Sequence, residues 1–424
     1  MKIKVTKLQS FVAAALALAG LAASPAVRAD EVTDWNDNLI NAILTARVGA
    51  APATRVTAMV QSAVFDAVNG VKKRYAPVRV PAEAPPGASA RAAVIQAAYG
   101  VLIKQFPTQQ ATLDAQRTAS LAALDDDGDG VLGQSVERGL AWGQHVADEI
   151  WTWRSTDGFS PAPPPFRGST ETGVWRPTPA AFQPGATPQL AYTAPWVIDA
   201  AANFLPPGPP ALGSDKYAAD YLEVQIMGHK NSALRTADET FVCTFWTANT
   251  PLFWNRAAVQ VAQRNDLSLL EKARVLATLN VALADAVISC WNAKYTFLFW
   301  RPVTAIPLGD EDGNDATTAD ASWAPLITTP NHPEYPSGHS SQSGAAAAVL
   351  GAFFGDETEF SATSEVTPGV TRYYGSFTQA AEEAGDARVF GGIHFRTACV
   401  DAKAMGEQVA NYVLQNAFQR MHGK

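Results

Sequence analysis

Cysteine is scarce in these 424 residues, with only Cys243, Cys290 and Cys399. Their spacing fits neither a metal knuckle nor a c-type haem attachment, which excludes covalent haem. An odd count leaves room for at most one disulfide, and all three read best as small buried hydrophobes. Charge is also thin, at 17% of residues, and 32 Lys and Arg against 40 Asp and Glu leave a net −8. Residues 1–29 hold Lys2, Lys4, Lys7 and Arg28 with no acid, so the remainder stands at −8 − 4 = −12. A domain that acidic argues against nucleic acid or an anionic membrane surface as partner. Strand patterns are sparse. No apolar run reaches the roughly 20 residues that span a bilayer.

What is present begins with an export signal. Residues 1–29 combine a basic start, "MKIKVTK", an apolar run, "FVAAALALAGLAA", and a small-residue cleavage site at Val27-Arg28-Ala29 before Asp30. The mature chain is therefore expected in the periplasm or secreted. From Trp35 to about Tyr75, over 89–124 and over 131–154, apolar residues recur at spacings of three and four, the period of amphipathic helices. Residues 159–212 change character, rich in Pro and Gly with Trp and Phe interspersed, which predicts an ordered wrapping loop more than a free linker. Helical patterns resume from Ser214 to Trp300, then at 339–354 and 379–420. The expected fold is all-α: two packed helical bundles with long Pro/Gly-rich loops, residues 30–212 forming the N-terminal half and 213–424 the C-terminal half. No internal repeat is strong enough to count. "DDDGDG" at 125–130 has the alternating acids of a calcium loop, but its twelfth position is Val136 and Glu137 comes one place late. It reads as a solvated acidic turn, and calcium is not predicted.

The chemistry starts at "YPSGHSSQSGAAAAVL", where an Ala-rich helix follows Ser337, Gly338 and His339. Ser337 is a good N-cap, and Gly338 lets backbone N–H groups approach a ligand. A helix N-terminus attracts an anion, and His339 at its edge can give or take a proton. Cations for that anion occur in "KYTFLFWRP", where Lys294 precedes Arg301-Pro302 by seven positions. If one helix carries both, they share a face roughly 10 Å apart along the axis, with Pro302 ending the helix. Alone, the pair also fits two snorkelling cations on an amphipathic helix. Trp175-Arg176-Pro177 repeats the ending but has Ser169 seven residues before Arg176, so it lacks the second cation. A further cation and imidazole lie in "ARVFGGIHF", where Arg388 precedes His394 by six with Gly391-Gly392 between.

These three pieces in this order, Lys294-x6-Arg301-Pro302, Pro336-Ser337-Gly338-His339 and Arg388-x5-His394, resemble the signature shared by vanadium-dependent haloperoxidases and type 2 phosphatidic acid phosphatases. They cover about the last third of the chain, and "AVFDAVNGVKKRYAP" near residue 64 is similar, less specifically, to the N-terminal half of bacterial members. The Phe-Trp before Arg301 and the Tyr before Pro336 look like the haloperoxidase side. The resemblance implies an oxyanion, vanadate, bound by Lys294, Arg301 and Arg388, with Ser337 and the Gly338 N–H donating. It implies His394 as axial ligand to vanadium, or nucleophile toward phosphorus, with His339 as acid/base opposite. One cage suits both because vanadate and a pentacoordinate phosphoryl transition state share charge and shape.

Two positions depart from the pattern. The family usually has Ser before the third-motif Arg, where this chain has Ala387. Many members carry Asp four residues after the axial His, where this chain has Ala398; Asp401 lies about two turns on, too far to orient His394. A backbone carbonyl is the expected substitute.

The leading reading is a vanadate-dependent peroxidase oxidising a halide with hydrogen peroxide to hypohalous acid, Lys294 polarising the bound oxygen. The alternatives are a soluble periplasmic acid phosphatase working through a phosphohistidine at His394, and a non-catalytic oxyanion-binding protein, which would need no His339. The expected partners are small molecules, peroxide and halide, with no nucleic acid, no membrane after signal cleavage, and a homo-oligomer open. His332, in "TPNHPEYPSGH", is either an exposed loop residue or a second imidazole at the pocket mouth titrating near neutral pH. In the resembling haloperoxidases an aromatic residue or His holds this place beside the peroxide.

Overall fold

The computed structural model describes residues 30–81, 83–124 and 132–421. The export-signal reading of residues 1–29 and the acidic loop 125–130 fall outside them. The structure is 60% helical, as the all-α expectation requires. Before the Pro-rich segment run α1 (Glu31–Thr45), α2 (Ala50–Lys72), α3 (Ala90–Gln105), α4 (Gln110–Ala122) and α5 (Leu132–Ser155). After it come α6 (Asp215–Met227), α7 (Ala237–Phe245), α8 (Thr250–Arg264), α9 (Leu269–Phe297) and the single turn α10 (Pro302–Ala305). The chain finishes with α11 (Gly338–Phe354), α12 (Phe377–Phe390) and α13 (Arg396–Asn416). A short antiparallel pair, β1 (Phe360–Thr363) and β2 (Thr371–Tyr374), links α11 to α12. Helix starts follow local chemistry. Ser268 with Glu271 and Thr236 with Glu239 form capping boxes at α9 and α7, satisfying N–H groups that a first turn leaves free.

Helix α2 packs on α3, α5 and α9, and α9 packs on α2, α8, α11 and α13. Their buried side chains, among them Phe65 and Val68 from α2 and Leu276 and Leu283 from α9, belong to one continuous core. Among the described residues α9 is the one helix long and apolar enough to cross a membrane, a property hidden from inspection of apolar runs because Lys272, Arg274 and Asp285 interrupt it. Its most apolar stretch is 94% buried inside the protein, as befits the central helix of a bundle. The three thiols are free and buried. The Pro-rich segment wraps the core, burying Trp175 and Trp196.

One device occurs twice. Asp66 of α2 accepts from the successive N–H groups of Val78, Arg79 and Val80 at 2.8–2.9 Å. Asp285 of α9 accepts in the same way from Trp196, Val197 and Ile198 at 2.7–3.1 Å. Each aspartate opens an Asp-Ala-Val triplet, and each donor run follows Ala-Pro, at Ala76-Pro77 and Ala194-Pro195. Both carboxyls are fully buried, and burial pushes each up to about 6 despite three donors pulling the other way. The repeat is too short to notice in sequence.

The crossing of α11 and α13 sets the site. A Cβ on Gly406 would lie 2.0 Å from the Ser341 carbonyl oxygen, so only glycine permits this approach. At the other end of the contact the Ser337 N–H donates to the Ala398 carbonyl at 3.0 Å, placing the starts of α11 and α13 side by side.

Candidate active site

Lys294 sits in the last turn of α9, fully buried, and its Nζ donates to the carbonyls of Pro333 at 2.8 Å and Glu334 at 3.0 Å. The helix does not continue to Arg301 as expected. It ends at Phe297, and Leu298 adopts the left-handed conformation at φ 50°. Residues 298–300 then pair with the Pro-rich segment, Trp175 N–H to Leu298 O at 2.6 Å and Trp300 N–H to Gly173 O at 2.9 Å. A residue preceding proline avoids the helical region, so Arg301 is extended, at φ −86° and ψ 153°, and Pro302 opens α10 rather than closing α9. Lys294 and Arg301 thus converge through a turn and a short bridge, not through helical registry. Arg176, in the repeated Trp-Arg-Pro ending, donates to the nearby carbonyls of Thr170 and Glu171.

Arg301 is the centre of the cluster. Its Nη1 donates to the Ile393 carbonyl at 2.6 Å and meets His394 Nε2 at 3.1 Å. Its Nε donates to the His332 carbonyl at 3.0 Å, and its Nη2 meets His332 Nδ1 at 2.9 Å. A guanidinium only donates, so His394 Nε2 and His332 Nδ1 are both acceptors, and each ring carries its proton on the other nitrogen. For His394 that nitrogen is Nδ1, and it donates to Glu334 Oε1 at 2.8 Å. The same oxygen accepts the Phe395 N–H at 2.9 Å. The expected backbone carbonyl is therefore replaced by a carboxylate, and Glu334 is the residue that sequence reading missed. Asp401 lies elsewhere, accepting from the Tyr335 hydroxyl at 2.6 Å. The available signal was an acid inside the otherwise uncharged run between Pro333 and Pro336.

The third motif turns between α12 and α13. Gly392 is left-handed at φ 78°, and a Cβ there would stand 2.5 Å from the Gly228 carbonyl oxygen, which explains the Gly pair between Arg388 and His394. Arg388 is buried; its Nη2 donates to the Cys243 carbonyl at 3.2 Å while its Nε has no partner. Ser337 caps α11 as expected, accepting from Ser340 N–H at 3.4 Å and Ser340 Oγ at 3.0 Å. The first-turn N–H groups of Gly338 and His339 have no intrahelical acceptor. His339 Nε2 is buried without a partner.

A cavity of about 360 Å³ opens onto this cluster, with His332, Gly338, His339 and His394 on its wall. Lys294, Arg301, Arg388 and Ser337 are buried, and the three basic side chains lie near enough to the histidines on the wall to oppose their protonation. All eight residues expected at the site are thus brought together, and His332 faces the cavity rather than lying exposed on a loop.

Burial dominates the electrostatics. It pushes Lys294 down to about 7, and Arg301 and Arg388 each down to about 10. It pushes Glu334 up to about 8. His332, His339 and His394 are held well below the ordinary imidazole range by burial and then by the neighbouring cations. The expectation that His332 titrates near neutrality is corrected accordingly: this ring is neutral there. Among the described residues no three His, Cys, Asp or Glu side chains gather as ligands for a metal cation. Three buried basic side chains face one carboxyl group, and an Arg388 Nε and a His339 Nε2 lack partners. That donor set fits an oxyanion with one imidazole ligand.

Residues 274–423 match the family described as VCPO second helical-bundle domain. The vanadium chloroperoxidase of Curvularia inaequalis is 31% identical over 141 residues, covering 27% of this chain and 22% of that protein's length. The crystal structure of the first bacterial vanadium-dependent iodoperoxidase superposes with a TM-score of 0.81 at 26% identity, over 93% of this chain and 98% of that one. An apo-type bacterial vanadium-dependent chloroperoxidase shares the fold, with a TM-score of 0.69 at 19% identity over 87% of this chain and 94% of that one. Three ordered motifs thus meet at one cavity, inside a fold shared with bacterial vanadium-dependent haloperoxidases and with residues 274–423 matching the second helical-bundle domain of such an enzyme.

Proposed function

We propose that this protein is a vanadate-dependent peroxidase that oxidises a halide: H2O2 + X⁻ + H⁺ → HOX + H2O. The observation that carries the reading is the buried basic cluster, in which Lys294, Arg301 and Arg388 have a single carboxyl group, that of Glu334, among them and His339 Nε2 is left without a partner. Lys294, Arg301 and Arg388, with the Ser337 hydroxyl and the Gly338 N–H, would hold the oxyanion, and His394 Nε2 would be its one protein ligand. Vanadate, when bound, supplies Lewis acidity toward hydrogen peroxide without changing its own oxidation state. The chain supplies the rest. Glu334 keeps the His394 proton on Nδ1, so that the Nε2 lone pair faces Arg301. His339 offers a proton-transfer nitrogen at the cavity wall. The third hydrogen of Lys294 remains for the ligand once two carbonyls have taken the others.

A phosphohistidine phosphatase is the second reading, and one observation favours it. The carboxylate that would sharpen His394 as a nucleophile, missing at Ala398, is supplied by Glu334. One purified batch, assayed with and without orthovanadate, separates the two. The peroxidase reading expects halide oxidation that appears on adding vanadate and saturates with it. Phosphate-ester turnover that vanadate inhibits, with no halide oxidation, would overturn it. We also propose export to the periplasm or medium after cleavage before Asp30, which N-terminal sequencing of the mature protein checks.

A further inference from the structure

Helix α11 carries three buried serines near its start, Ser340, Ser341 and Ser343, ahead of a run rich in alanine. Alanine is the better helix former, and a buried hydroxyl needs a partner. Two of the three serve the fold. Ser341 Oγ donates to the Gly338 carbonyl at 3.1 Å, and Ser343 Oγ accepts from Trp254 Nε1 at 3.1 Å. Ser340 differs, because its Oγ donates to another hydroxyl, Ser337 Oγ, at 3.0 Å.

That bond decides what Ser337 can do. A hydroxyl has two lone pairs and one hydrogen. Both lone pairs of Ser337 Oγ are engaged, one by the Ser340 N–H at 3.4 Å and one by the Ser340 hydroxyl. What remains is the hydrogen. Cys399 Sγ, from α13, lies within hydrogen-bonding range of both hydroxyls. Burial pushes this thiol up to about 12, so it stays neutral, and a neutral thiol is a weak acceptor that holds the Ser337 hydrogen poorly. Ser337 is itself fully buried, and the two residues that follow it, Gly338 and His339, line the cavity of the site.

We propose that Ser340 is a positioning residue, whose hydroxyl fills the second acceptor site on Ser337 Oγ and so turns the Ser337 hydrogen toward the oxyanion. This rests on the reading that Ser337 helps to hold an oxyanion, and it supplies the reason why Ser337 donates. With the bond between the two hydroxyls reversed, Ser337 would present a lone pair to a negatively charged ligand and repel it. Ser340 acts from outside the cavity of the site. It borders a second cavity, of about 290 Å³, together with Gly385 and Cys399, and the two cavities share no lining residue. A change at Ser340 therefore leaves the wall of the site as it is.

Orthovanadate titrated by calorimetry into vanadate-free protein tests this. Ser340→Ala is expected to bind about tenfold more weakly than wild type, the effect of one charge-assisted hydrogen bond. Ser340→Thr keeps the hydroxyl, has the second cavity for its methyl group, and should restore the affinity. Because Ser340 acts through Ser337, Ser337→Ala alone and the double variant Ser337→Ala with Ser340→Ala should bind equally weakly. A loss that Ser340→Thr does not restore, or losses that add in the double variant, overturn the proposal. Equal affinities for wild type and Ser340→Ala overturn it while leaving the oxyanion reading in place, whereas a wild type that binds no orthovanadate overturns both.

Discussion

Glu334 Oε1 lies 2.8 Å from His394 Nδ1, joining two buried side chains from different motifs. The glutamate arrives on the loop ahead of α11, and the histidine stands just before α13. Because Arg301 donates to the opposite nitrogen at 3.1 Å, the ring is clamped in one tautomer from both sides. The carboxyl group that orients His394 comes from the loop ahead of α11, and not from α13, where Ala398 stands.

Removing that clamp should loosen the ligand nitrogen. Glu334→Ala is expected to lower orthovanadate affinity about 10- to 100-fold, the usual effect of losing a partner behind a ligating histidine. Glu334→Gln keeps an oxygen for Nδ1 and should retain most of the affinity. Calorimetric titration of the three proteins checks this, and equal affinities for wild type and Glu334→Ala would show that His394 needs no carboxylate.

Arg388 has one backbone carbonyl, that of Cys243, and an unpartnered Nε in a fully buried setting. A desolvated cation so poorly matched destabilises the free protein. Arg388→Leu should therefore stabilise the vanadate-free protein, by about 1–3 kcal/mol, while abolishing the stabilisation that added vanadate gives the wild type. Thermal unfolding with and without vanadate reads both effects. A less stable free variant would mean that Arg388 is already satisfied.

Much of this was legible in the sequence because the chemistry is local. Ser337, Gly338 and His339 announce a helix start, and Gly391-Gly392 announce a tight turn. What was not legible depends on long-range placement. Nothing local reveals that Leu298 turns left-handed, since its pairing with Trp175 arises more than a hundred residues away in sequence. Glu334 acquires its meaning only when α13 brings His394 beside it. The repeated aspartate device escaped for a similar reason, as its N–H donors lie downstream of Asp66 but upstream of Asp285.

A second imidazole at the pocket mouth, titrating near neutral pH, would tune the pH optimum and leave vanadate affinity nearly intact. The geometry of His332 changes that expectation. Its ring and carbonyl both hold Arg301, at 2.9 and 3.0 Å, so His332→Ala frees a cage residue as well as opening space. Vanadate affinity should fall by about tenfold or more, on the order of one lost charge-assisted hydrogen bond of about 1.5 kcal/mol. Burial keeps this ring neutral through the ordinary imidazole range, so ring resonances of the vanadate-free protein should show no His332 titration near pH 6.5. An affinity unchanged in His332→Ala, or a titration near neutrality, would return His332 to a peripheral role.

Asp66 and Asp285 give the fold a pH dependence of their own. Each has its folded pKa pushed up to about 6 from an ordinary 3.8, so between those values the native state holds more protons than the unfolded chain. Stability from these groups is therefore greatest below pH 4 and falls as pH rises through about 6. A shift of about two units is at most roughly 3 kcal/mol per group. The neutral, buried histidines act in the opposite direction, because the unfolded chain takes up their protons as pH drops. The wild-type curve thus mixes the two signs, and a difference between variants separates them. Asp285→Asn loses acceptor capacity at every pH, but it also removes the ionised carboxyl. Its stability relative to wild type should improve between pH 4 and pH 7 and stay level above that. Urea unfolding of wild type, Asp66→Asn and Asp285→Asn across this range measures the gap. A gap independent of pH would mean that the three N–H donors fully compensate for burial of the charge.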